Sequence, residues 1–174
     1  MSSKHVNIAR PVGTVTLGKC SVRKLHESLV TRCEIVSTAN DILEKTPISA
    51  TPIDLELFVV TWWDLGFLQG GTLADIYRRI RELGFMEVPA EAGPLLRLLL
   101  PRKRQERGEE LLLAMEPLTD RSNNRYVFNV SCDIEGGEWL AARYISTGII
   151  DPRLVEVEGQ PSYPRGGWIV CCVK

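Results

Sequence analysis

From Gly84 onward the chain alternates between short apolar stretches and turn-forming residues. The turn signals are Pro101, Gly108, Pro117, Asn123-Asn124, Gly136-Gly137, Asp151-Pro152 and Gly166-Gly167. Between them, residues 95–100, 110–116, 125–132, 138–145 and 168–173 read as strands, and residues 153–157 as a weaker one. Connections this short suit antiparallel hairpins, because a parallel crossover needs a dozen residues or more. The second half of the chain is therefore expected to be mainly antiparallel sheet.

One strong helix precedes it, over residues 72–84. Thr72 can cap this segment, and Asp75 stands three positions on, where a capping box has its carboxylate. Leu73, Ile76, Tyr77, Ile80 and Leu83 form an apolar stripe, with Arg78, Arg79, Arg81 and Glu82 opposite, and Gly84 is a natural stop. Residues 54–62 start as an alternating pattern and end wholly apolar, which reads as an inner strand. Further upstream, residues 12–17 read as a strand, 22–31 as a helix capped by Ser21, and 38–45 as a second helix ended by Thr46-Pro47. The fold class is α+β: a mostly antiparallel sheet with one main amphipathic helix (72–84), preceded by a small strand-helix-helix unit. Residues 1–46 are expected to form that annex, 47–53 a linker with Pro47 and Pro52, and 54–174 the helix-plus-sheet domain.

Composition excludes several classes. With 44% apolar and 25% charged residues among 174, the chain can bury a full core and is not a disordered segment. The formal net charge of −1 offers no global attraction to nucleic acid. Cys20, Cys33, Cys132, Cys171 and Cys172 are odd in number and contain no C-x-x-C pair, so neither a disulfide framework nor a metal site is expected. Gly66 and Gly70-Gly71 lack the spacing and the lysine of a phosphate loop, so no cofactor is expected either. Residues 1–10 have no continuous apolar core like that of a signal peptide, and no apolar run approaches the roughly 20 residues of a membrane helix. The expectation is a cytoplasmic protein with no membrane contact.

Several stretches resemble a family of small bacterial proteins found in environmental genomes, which has no assigned activity. They are T-V-T-L-G at 14–18, A-N-D-I-L-E-K at 39–45, D-L-G-F at 64–67 and E-L-G at 82–84. P-A-E-A-G-P-L-L-R-L at 89–98, G-E at 108–109, A-M-E-P-L-T-D at 114–120, V-F-N-V at 127–130 and W-L at 139–140 continue it in order. The resemblance implies one recurring unit over most of the chain and no particular chemistry. Relatives often carry cysteine where Val88 stands.

Candidate sites are few. Pro89 and Pro94 bracket Glu91 and Gly93, which suggests a rigid loop presenting Glu91 to a ligand with Arg97 nearby. The plainer alternative is a helical start at which Glu91 serves free backbone N–H groups. Glu109, Glu110, Glu116 and Asp120 offer carboxylates, but Glu110 and Glu116 on one strand would sit about 20 Å apart, too far to act on one bond. Arg102, Lys103 and Arg104, with Arg78, Arg79 and Arg81 on the helix, could form a basic patch for phosphates. Trp62, Trp63, Trp139 and Trp168 could line an aromatic surface or pack in the core; Trp62 and Trp63, if in a strand, face opposite ways. His5 and His26 have no partners at the spacing of a known nucleophile pattern.

The leading expectation is a non-catalytic binding or accessory protein acting through protein contacts, with Glu91, Arg97, Trp62 and Trp139 as contact residues. A nucleic-acid-associated protein using the 101–107 loop and the arginine face of the helix is the first alternative. A carboxylate enzyme is the second. An exposed sheet edge would offer a route to a homodimer.

Overall fold

The computed structural model describes residues 9–67, 71–100, 105, 107–145, 156–157, 160–161 and 168–173. Strand β1 (Arg10–Leu17) leads to helix α1 (Val22–Leu29), strand β2 (Glu34–Ile35) and helix α2 (Ser37–Leu43). Strand β3 (Ile53–Thr61) runs directly into the one-turn helix α3 (Trp62–Leu65). Helix α4 (Leu73–Glu82), strand β4 (Phe85–Met86) and helix α5 (Ala92–Leu99) follow. Strands β5 (Glu110–Leu113), β6 (Leu118–Thr119), β7 (Arg125–Cys132) and β8 (Glu138–Tyr144) come next. The short pair β9 (Glu156–Val157) and β10 (Gln160–Pro161) and strand β11 (Trp168–Val173) complete the described elements.

The α+β class holds, but the sheet is mixed where a mostly antiparallel one was expected. Its order is β1-β3-β11-β5-β7-β8-β2, with β4 pairing β11 and β6 pairing β7. β11 lies parallel to β5, and β2 parallel to β8. The turn spacing concealed this because neither parallel pair is adjacent in sequence. β11 enters between β3 and β5 from far along the chain, and β2 reaches β8 from the first half. Helices α1, α2 and α4 stand where three helices were expected, and α3 and α5 are additional among the described residues.

The largest correction is at residues 95–100, which form no strand. Residues 95–99 belong to α5, which begins at Ala92. Pro94 is tolerated there because a proline in the first turn removes no internal hydrogen bond. The apolar run reads equally well as helix because α5 is buried nearly all round, and a helix without a wet face shows no amphipathic stripe. Ala92, Gly93, Pro94, Leu96 and Arg97 are all buried.

α5 lies across one face of the sheet. A Cβ on Gly93 would come 2.8 Å from the Phe128 ring, so only glycine permits this approach to β7. At the other end, Leu99 packs 3.0 Å from where a Cβ of Gly13 would stand, and Gly13 has a φ of +149° beside a break in the β1–β3 register. Register places Phe128, Val130 and Cys132 of β7 on this covered face, with Ala142, Leu140 and Glu138 of β8 opposite them. The other face of these strands carries Val127, Asn129 and Ser131, opposite Arg143, Ala141 and Trp139.

The expected annex shares this sheet. β1 pairs along β3 from Arg10↔Val59 to Leu17↔Ile53, β2 pairs β8, and α1 and α2 pack on α5 and β8. Segment 47–53 is likewise tied down, with Ser49 N–H bonded to Glu91 and Ile53 opening β3. β3 is an inner strand as expected, flanked by β1 and β11, with Leu57, Val59 and Val60 at most 1% exposed. Among the described residues, no helix is long and apolar enough to cross a membrane.

Candidate functional site

The P-A-E-A-G-P segment does not present Glu91 to solvent. Glu91 is 1% exposed. Its Oε1 accepts from the Gly18 N–H at 2.7 Å, and its Oε2 from the Ser49 N–H at 2.9 Å. The carboxylate thus joins the turn after β1 to the segment before β3. It makes no capping bond to its own helix, so the plainer alternative is corrected as well: the N–H groups it serves belong to distant loops.

Arg97 lies on the same helix but works at another place. Its Nη1 donates to Gln105 Oε1 at 2.8 Å and to the Ser131 carbonyl at 3.2 Å, and its Nη2 donates to the Leu100 carbonyl at 2.7 Å. Glu138 Oε2 stands 3.6 Å away, and both side chains are almost fully buried. Gln105 passes the network on, donating to the carbonyls of Glu109 and Val130. Burial pushes the guanidinium pKa down, and the Glu138 charge opposes that. Cys33 and Cys132 lie within the field of the same pair, and burial raises both thiols above their ordinary value. Burial pushes Cys171 up to about 12. These thiols are held protonated, which suits packing better than nucleophilic chemistry.

Of the other candidate carboxylates, Glu116 is exposed, while Glu109, Glu110 and Asp120 are held by neighbours. Arg10 donates to Glu109 at 2.7 Å. Glu110 Oε2 receives Arg143 Nη2 at 3.3 Å and Asn129 Nδ2 at 3.4 Å. Asp120 closes the turn before β7, accepting from the N–H groups of Ser122 and Asn124, each at 2.8 Å. Among the described residues, no group of three or more histidine, cysteine, aspartate or glutamate side chains could hold a metal ion. The polar row Glu110–Asn129–Arg143 was missed in the sequence. Its signal was present, because alternate residues of V-F-N-V-S-C put Asn129 and Ser131 on the face away from α5.

The arginine face of α4 is laced to acids. Arg78 meets Asp75 at 2.6 Å, Arg79 meets Glu82 at 3.0 Å, and Arg81 pairs with Glu87. Arg102, Lys103 and Arg104 lie outside the described residues.

The tryptophans separate clearly. Trp62, expected as a contact residue, is 4% exposed and belongs to the core, whereas its neighbour Trp63 is 66% exposed. They lie on a helical turn, so they point about 100° apart instead of to opposite faces. Thr61 holds this turn: its hydroxyl accepts from Asp64 N–H at 3.0 Å, while Asp64 Oδ2 accepts from Thr61 N–H at 3.2 Å. Gly66, at φ 82°, closes it, and Leu65 is 2% exposed. Trp139 is half-buried, and its Nε1–H donates to Asp133 Oδ2 at 3.0 Å within the β7–β8 turn.

No family model, curated protein or solved structure matches this chain.

Proposed function

We propose that the protein is a non-catalytic binding or accessory protein of the cytoplasm, acting through protein contacts centred on Trp63. The observation that carries this reading is the pairing of a 66% exposed Trp63 with immediate anchors, Trp62 and Leu65, that are 4% and 2% exposed. A capped turn fixed at both ends holds the backbone that carries the indole. Exposed aromatic anchors are among the side chains that dominate the energy of protein interfaces. The charged side chains that suggested chemistry, Glu91 and Arg97, are engaged in internal hydrogen bonds, which favours this reading over a carboxylate enzyme. The ion pairs along α4 reduce the charge available to phosphates and weigh against the nucleic-acid reading.

The test compares the tagged wild-type protein with Trp63→Ala and Trp63→Phe in capture of partners from a bacterial lysate. Trp63→Ala is expected to lose a captured protein at least tenfold with its melting temperature unchanged, and Trp63→Phe to lose it less. Capture that is indifferent to Trp63 would reject the assignment. A salt-sensitive gel shift with random DNA or RNA would turn the reading towards nucleic acid.

A further inference from the structure

We draw no further inference here: the strongest candidate, the polar row Glu110–Asn129–Arg143 on the face of β5, β7 and β8 away from α5, where 3% exposed Asn129 has an Oδ1 with no hydrogen-bond partner among the described residues, carries nothing because nothing in the structure shows what covers it.

Discussion

Helices α4 and α5 both carry arginine, and they use it in opposite ways. On α4 the side chains of Arg78, Arg79 and Arg81 are 42–66% exposed and pair with acids at the surface. On α5, Arg97 is 2% exposed and ties together a helix end, two strands and Gln105. Surface pairs gain little, because water screens them and two long side chains must be held still. Arg97 has both terminal nitrogens bonded and its Nε buried without a partner among the described residues, and the loss of such a buried guanidinium strands every group it served. Residue type therefore says little about role here, and the depth of the helix that carries the charge says much more.

This contrast can be broken in several places. Arg97→Ala should have the largest effect, about 3–5 kcal/mol, because it leaves the Glu138 carboxylate and the Gln105 side chain buried without the guanidinium. Urea unfolding would measure it, and a loss below about 1 kcal/mol would mean that the interior of α5 is wetter than described. Glu91→Ala should follow, at roughly 2–4 kcal/mol, because two backbone N–H groups lose a charged acceptor. Glu91→Gln retains one acceptor oxygen and should recover part of that loss; equality of the two variants would show that the carboxylate does not join the two loops. Thr61→Ala should cost about 1 kcal/mol through loss of the cap on α3.

The acid limb of stability gives a smaller signal. Burial alone would raise the Asp133 carboxyl, but donors from Trp139, Gly137 and Glu135 outweigh it and hold the group below its ordinary 3.8. A carboxylate depressed in the folded state stabilises the fold above its unfolded value and loses that contribution as pH falls through the lower folded value. Asp133→Asn should therefore flatten the decline of stability below about pH 4, the range where unfolded aspartate titrates. Acid titrations of the two proteins by circular dichroism would show superimposable limbs if the turn were not assembled this way. Arg78→Ala should have the least effect, leaving the urea midpoint unchanged. A clear loss there would make α4 resemble α5 and remove the contrast.

Much of this architecture was legible in the sequence wherever a local rule and the tertiary environment agree. Ser21 and Thr72 cap the helices their sequences announce, and the alternation in residues 125–132 is strand β7 over the same bounds. The misreading of residues 95–100 comes from burial. L-L-R-L-L-L contains no polar face to reveal a helix, and its one charge points inward. The pattern threonine-x-x-aspartate caps helices at 61–64 and at 72–75. The first was hidden because the apolar run of β3 continues without a break into Trp62 and Trp63. The site residues were less legible still. Whether Glu91 meets a ligand or a distant N–H group depends on where Gly18 and Ser49 fold, and no local pattern encodes that.

The placement of β11 bears on how the protein is made. Its residues pair with β3 across more than a hundred positions, as in Val60↔Ile169, and also with β5 on its other side. Without residues 168–173 no strand joins β1–β3 to β5–β7–β8, and each group has an open inner edge. Such long-range closure is slow, and unpaired edges invite association with other nascent chains. Synthesis stalled before residue 168 should therefore yield chains that bind holdase chaperones, and release of that strand should discharge them.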